Sequence, residues 1–105
     1  LIANRGSYED PVKRQEIEEI QTLLRGVLTA RGKVLIKLNV SEENLRSVVD
    51  IMPGMKAPTI SHLYGTSYYA VEAVVVRSEV NLLIPRLKNA GAEDILEIPI
   101  SKIVL

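Results

Sequence analysis

At 105 residues, with 47% hydrophobic and 25% charged side chains, the chain has the size and composition of one globular domain. Thirteen basic and thirteen acidic residues cancel, so no basic stripe points to nucleic acid, and the near-zero net charge does nothing to discourage self-association. There is no Cys, and four Tyr stand without Phe or Trp. Disulfides, thiolate chemistry and cysteine zinc sites are therefore excluded, base-stacking platforms largely so, and the core falls to Val, Ile and Leu. No apolar run approaches the roughly 20 residues that span a bilayer. The first residues lack the long apolar stretch of a signal peptide. Together these features fit a cytoplasmic protein.

The opening Leu1-Ile2-Ala3, without an initiator Met, reads as the end of a strand cut from something upstream, followed by loop to residue 9. Asp10 and Pro11 together suit a helix start, Asp as cap and Pro in the first turn. Ile17, Ile20, Leu23, Leu24, Val27 and Leu28 recur at helical spacing, which predicts a helix to about Ala30, stopped by Gly32. Some twenty residues make it about 30 Å long. That is long for so small a domain, so part of its apolar stripe is expected to pack on another domain or subunit.

Residues 33–40 alternate Val34, Ile36 and Leu38 with Lys33, Leu35 and Lys37 and predict a strand. Ser41 is expected to cap a helix whose apolar face is Leu45, Val48, Val49 and Met52, with Glu42 and Glu43 at its positive end. Pro53-Gly54 ends it, and Pro58 prevents a restart before Thr59. The constrained loop between these prolines exposes backbone groups to a ligand or a neighbouring chain. A strand over 59–64, a Gly65-Thr-Ser67 turn and a Val- and Tyr-rich strand over 68–76 predict a hairpin. Ser78 is expected to cap a helix buried through Val80, Leu83, Ile84, Leu87 and Ala90, with Pro85 kinking it and Gly91 ending it. A strand over 94–98 comes next, Pro99 marks an edge or a bulge, and 101–105 is a further short strand.

After the long helix the order is β-α-β-β-α-β. That order predicts an α+β, ferredoxin-like arrangement: four antiparallel strands with both helices on one face. Leu35, Val74 and Val76 make the other face partly apolar as well. A second covering layer is then expected, from the long helix or from another subunit.

Candidate chemistry is sparse. His62 is the only histidine and has no partners for a metal; a strand-end side chain is the simpler reading. Glu42 and Glu43 point apart on a helix and are explained by its dipole. Glu72 reads as a rim or solvent-facing carboxylate, and Lys56 as a surface lysine rather than an anion site. Gly65-Thr-Ser lacks the Gly-Lys-Thr ending of a phosphate loop. No nucleophile–base pair stands out. A pocket for a small zwitterion remains open where the 53–58 loop, Asn39 and the Gly91-Ala-Glu-Asp94 turn could meet at one sheet edge.

Met52-Pro-Gly-Met-Lys-Ala-Pro-Thr-Ile-Ser-His-Leu63 resembles the signature loop in the C-terminal regulatory domain of long-form ATP phosphoribosyltransferases. Leu24-Arg-Gly-Val-Leu-Thr-Ala30, Leu38-Asn-Val40, Tyr69-Ala-Val-Glu-Ala-Val-Val-Val76, Leu87-Lys-Asn-Ala-Gly-Ala92 and Ile95-Leu-Glu-Ile-Pro-Ile100 resemble that family in the same order and spacing. The resemblance implies a domain division at 1–32, the end of a catalytic part with a connecting helix, and 33–105, the regulatory domain. It implies a parent enzyme in histidine biosynthesis that joins ATP to phosphoribosyl pyrophosphate with Mg2+, giving phosphoribosyl-ATP and pyrophosphate, with catalytic residues outside this chain. It implies allosteric feedback inhibition by L-histidine bound at a subunit interface of a homo-hexamer, with no nucleic-acid or membrane partner. Carried across by position, the histidine contacts are Asn39, Met55, Ala57, Thr59, Val74 and Asp94. Asn39 stands where relatives can carry Asp, so an amine contact would use a neutral carbonyl oxygen. Asp94 stands where relatives carry a small residue, and its contact is by side chain or by backbone. A structural oligomerisation domain and a free-standing small-molecule sensor of the same fold are the alternatives.

Overall fold

The structure, a computed structural model, describes residues 11–53 and 56–105. The strand expected at the N-terminus, the Asp10 cap and Met55 lie outside the described residues. The chain forms two compact units: the first helix with the tail Ser101–Leu105, and the segment Gly32–Ile100.

In the first unit, helix α1 (Pro11–Ala30) buries Gly26 and Ala30. The apolar stripe read from the sequence stays open: Ile20, Leu23, Leu24, Val27 and Leu28 are all exposed. Only Ile17 is half-buried. The tail is not a strand, contrary to expectation. Its Ile103 N–H instead donates to the Gly26 carbonyl at 2.9 Å. Gly26 eases that close approach, since a Cβ there would lie 3.1 Å from Val104 Cγ2 and the valine would have to give by a few tenths of an ångström. Thr22 and Thr29 turn their hydroxyls back to the carbonyls of Glu18 and Arg25, which satisfies them within the helix.

The second unit runs β1 (Lys33–Ser41), a 3-10 turn (Glu42–Asn44), α2 (Leu45–Ile51), β2 (Thr59–His62), β3 (Tyr68–Val76), a 3-10 turn (Arg77–Glu79), α3 (Val80–Asn89) and β4 (Glu93–Pro99). The strands pair in the order β2-β3-β1-β4, and every pairing is antiparallel. This is the ferredoxin-like topology that the element order predicts. Strict alternation along β1 sends Val34, Ile36, Leu38 and Val40 to one face, and all four are buried. Opposite them on β3 stand Val75, Ala73, Val71 and Tyr69. Val48 of α2 and Val80, Leu83 and Leu87 of α3 close the same core, so both helices cover one face.

Neither Ser41 nor Ser78 is a side-chain cap, although the sequence suggests both. Each helix is entered through a 3-10 turn with no capping side-chain bond. Ser41 is instead the last residue of β1, and the next amide, Glu42 N–H, is taken by the Ser67 carbonyl at 3.0 Å. A backbone partner from the hairpin thus replaces the cap. Strand β2 is also shorter than the predicted 59–64. Leu63 N–H still reaches the Tyr68 carbonyl at 2.9 Å, and the Thr66 hydroxyl donates to the Leu63 carbonyl, so the chain turns there rather than at Gly65 alone.

Pro85 lies inside α3 as expected. It is exposed, as is Asn81, whose carbonyl loses its helical partner, so water can satisfy that group. The helix ends in a Schellman motif: Ala92 N–H donates to the Leu87 carbonyl at 3.0 Å and Gly91 N–H to the Lys88 carbonyl at 3.1 Å. Gly91 takes a left-handed φ of 105° to make that turn.

The pairing of β1 with β4 is irregular at one point. Lys37 pairs with Leu96 but Asn39 with Glu93, so two residues of β4, Asp94 and Ile95, stand against Leu38 alone. This is a β-bulge. Asp94 occupies its left-handed position with φ 51°, which short polar side chains tolerate best after Gly.

Candidate functional site

The sheet face away from α2 and α3 carries the residues that the sequence singles out. Its rows are set by the register. Thr59, Glu72, Lys37 and Leu96 lie in line across the four strands; Val74, Leu35 and Ile98 form the row on one side, and Ser61, Ala70, Asn39 and Glu93 the row on the other. Asn39, Thr59 and Val74 therefore share one face. Asn39 and Val74 are half-buried and Thr59 is exposed. Ala57 is exposed in the bend two residues before Thr59. Met55 is outside the described residues.

The structure gathers these residues into two groups. Thr59 and Val74 are diagonal neighbours across β2 and β3, because Thr59 pairs with Glu72. Asn39 and Asp94 meet directly: Asn39 Nδ2 donates to Asp94 Oδ2 at 3.1 Å. Between the groups stands the Lys37–Glu72 pair, at 3.7 Å, whose side chains are 44% and 36% exposed. At that exposure it adds little stability, but it places a cation and an anion in the middle of the face. Thr59 and Asn39 are two strands apart, about 10 Å laterally at the usual strand spacing. A small ligand does not reach both groups of one chain.

Beyond Asn39, the same end of the sheet holds Tyr68 and Glu93. The Glu93 carboxylate faces the Tyr68 phenol: as an acceptor and as a charge it favours the protonated phenol, and with a smaller push from Asp94 it holds the phenol above its ordinary range. The sequence reading missed this contact and the Lys37–Glu72 pair. Both depend on register: the partners lie on different strands, and only the bulge aligns Glu93 with Asn39. Alternating charge on the two central strands is the one signal that could have suggested Lys37–Glu72.

His62 ends β2 on the core-side face, with its ring 5.1 Å from that of Tyr69 in an edge-on contact. Among the described residues no cluster of three or more His, Cys, Asp or Glu could hold a metal ion. No helix among them is long and apolar enough to cross a membrane. A cavity of about 300 Å³ lies in the first unit, between α1 and the tail, walled by Thr22, Arg25, Gly26, Thr29 and residues 103–105. It contains none of the sheet-face residues.

The second unit is thus an α+β domain with an antiparallel ferredoxin-like sheet, one face packed by α2 and α3 and the other carrying polar groups among aliphatic ones, a fold that by itself fixes no function. Comparison with known proteins narrows this to a family. A family model described as "HisG, C-terminal domain" matches residues 30–102, and the chain belongs to that family. It is 50% identical over 105 residues to the ATP phosphoribosyltransferase of Solibacter usitatus, covering 100% of this chain and 36% of that protein. It is 42% identical over 104 residues to the protein of that name from Trichlorobacter lovleyi, covering 99% of this chain and 36% of the relative. The corresponding protein of Chlorobium luteolum is 45% identical over 104 residues, with 99% and 35% covered. The chain thus spans little more than a third of the length of these relatives.

Proposed function

We propose that this chain is the C-terminal regulatory domain of an ATP phosphoribosyltransferase, and that it binds L-histidine as the feedback effector of histidine biosynthesis. On this reading 1–32 belong to the end of the catalytic part and a connecting helix, and 33–105 form the regulatory domain. The parent enzyme is cytoplasmic and hexameric. It transfers a phosphoribosyl group from phosphoribosyl pyrophosphate to ATP, releasing pyrophosphate. Mg2+ and the catalytic residues belong to the part outside this chain.

The observation that carries the reading is the family match over residues 30–102 together with relatives of that enzyme name along the whole chain. The site geometry supports it further. Asn39, Thr59 and Val74 lie on the sheet face opposite α2 and α3, and they fall in two groups too far apart for one small ligand. A histidine held between two subunits would take Asn39 and Asp94 from one and Ala57, Thr59 and Val74 from the other. Binding that differs between two arrangements of the hexamer shifts the population toward the less active one, and only by that difference in affinity.

The test is calorimetry of the assembled full-length enzyme with L-histidine, beside its inhibition of turnover. Thr59→Ala is expected to keep the hexamer and weaken histidine inhibition about tenfold, the scale of a hydrogen bond to a charged group. If the assembled enzyme does not bind L-histidine, the proposal fails. One observation favours a second reading, a domain for assembly alone: Leu96, 51% exposed, lies on that face with Leu35, Val74 and Ile98. A Thr59→Ala enzyme that stays hexameric but escapes inhibition rejects that rival.

A further inference from the structure

We propose that Asp94 is a positioning residue: its carboxylate locks the Asn39 amide so that the Asn39 carbonyl oxygen, and not its NH2, faces the ligand, and the site thereby selects for an ammonium group. The inference rests on the histidine reading and concerns how the same site tells an amino acid from its des-amino analogue.

An Asn side chain offers a donor end and an acceptor end of nearly equal shape. Left to itself, a half-buried Asn at the end of a strand presents either end, and so accommodates either a cation or a carboxylate. Here the choice is made by chemistry. Asn39 Nδ2 lies 3.1 Å from Asp94 Oδ2, and only the NH2 end can make that contact, because a carbonyl oxygen there would face a carboxylate oxygen. With the donor end engaged, Oδ1 points the other way. Neighbouring groups reinforce the bias. Ala70, beside Asn39 on β3, has no polar side chain to compete for the amide. Lys37, the nearest cation along β1 on this face, is engaged by Glu72.

The bulge makes the contact possible. Regular pairing would put the residue opposite Asn39 at the ordinary cross-strand position. The extra β4 residue and the left-handed backbone of Asp94 turn its side chain back toward Asn39 instead. Few L-residues adopt that conformation easily; among them, Asp and Asn offer an acceptor within reach.

Two substitutions test this without disturbing the backbone, since Gly and Asn both accept a left-handed φ. Asp94→Gly removes the acceptor. Asp94→Asn keeps an oxygen that can accept from Asn39 but removes the charge. Calorimetry on the assembled full-length enzyme would use L-histidine and 3-(imidazol-4-yl)propanoate, which lacks the ammonium. In Asp94→Gly, histidine is expected to bind about fivefold more weakly, the scale of one net hydrogen bond. Binding of the des-amino compound stays unchanged or tightens, because Asn39 is then free to turn its NH2 outward. In Asp94→Asn, histidine binding weakens by less, about twofold, since a neutral amide oxygen can still accept from Asn39 but more weakly, and that amide can itself turn. Equal loss of histidine and of the des-amino compound in Asp94→Gly would overturn the proposal, because the variant would then have lost the pocket and not the choice of amide end. So would an Asp94→Gly enzyme that binds histidine as before. If the unsubstituted enzyme binds no histidine, the functional reading itself fails, an outcome distinct from either of these.

Discussion

Gly91→Ala is the sharpest test of how the fold builds this site, because Gly91 is the turn through which α3 delivers the bulged strand. Its geometry imposes two costs. Its φ of 105° is one that an L side chain rarely adopts, and a left-handed residue other than Gly costs about 1–2 kcal/mol. A Cβ there would also lie 2.4 Å from Asn44 Nδ2, 2.8 Å from its Cγ and 3.0 Å from its Cβ. The Asn44 side chain must leave its position, and an off-rotamer side chain or a small backbone shift costs about 0.5–1.5 kcal/mol. Gly91→Ala is therefore expected to destabilise by about 2–3 kcal/mol, a fall in Tm of roughly 10 °C for a domain of this size. Urea and thermal unfolding followed by far-UV circular dichroism would measure it. Adding Asn44→Ala removes the two closest overlaps but neither the 3.0 Å approach of the Asn44 Cβ nor the backbone strain, so the double variant should recover about 0.5–1 kcal/mol, a coupling read directly from a double-mutant cycle. Gly91→Ala within about 0.5 kcal/mol of the starting protein would refute the strain argument, since surface changes without such a mechanism fall in that range. No recovery on adding Asn44→Ala would refute the overlap.

Two further predictions concern the acceptor-rich end of the sheet. Glu93→Gln removes the charge that opposes phenolate formation at Tyr68. One of the tyrosines should then ionise at lower pH, toward the ordinary value of about 10, in a titration of tyrosinate absorbance. The raised phenol implies stability that is present in full below that ordinary value and is lost as pH rises through the folded-state ionisation, so Glu93→Gln should lower stability slightly at pH 7 and flatten its loss above about pH 10. Asn39→Asp replaces the donor to Asp94 with a second carboxylate about 3 Å from the first, and like charges so placed repel. Stability at pH 7 should fall by more than about 1 kcal/mol, the value of the lost bond, because the repulsion adds to it. Adding Asp94→Gly relieves the repulsion but not the lost bond, so it should return only part of the fall, as unfolding midpoints would show.

What the sequence determined by itself is the order of elements and the face each presents to the core. Val34, Ile36 and Leu38 alternate with Lys33, Leu35 and Lys37, and a two-residue period admits one burial pattern. Val80, Leu83 and Leu87 recur at helical spacing and are buried, even with Pro85 between them, because that proline lies on the exposed side. Gly91 marked the end of α3 correctly, since a left-handed stop is a local requirement. Local rules misled where a distant backbone group was the better partner. Ser41 looks like a cap, yet the amide after it is claimed by Ser67 across the hairpin. The tail 101–105 looks like a strand, yet it bonds to Gly26 of α1. Six candidate site positions could be named from resemblance, and five fall among the described residues. Which of them touch could not be read: Asn39 and Asp94 are 55 residues apart, and their contact exists only because β4 carries one extra residue against β1. Periodicity is a property of a single segment and survives in the sequence. Register between segments is settled by which pairing buries the core and satisfies the backbone together, and only the tertiary structure decided that.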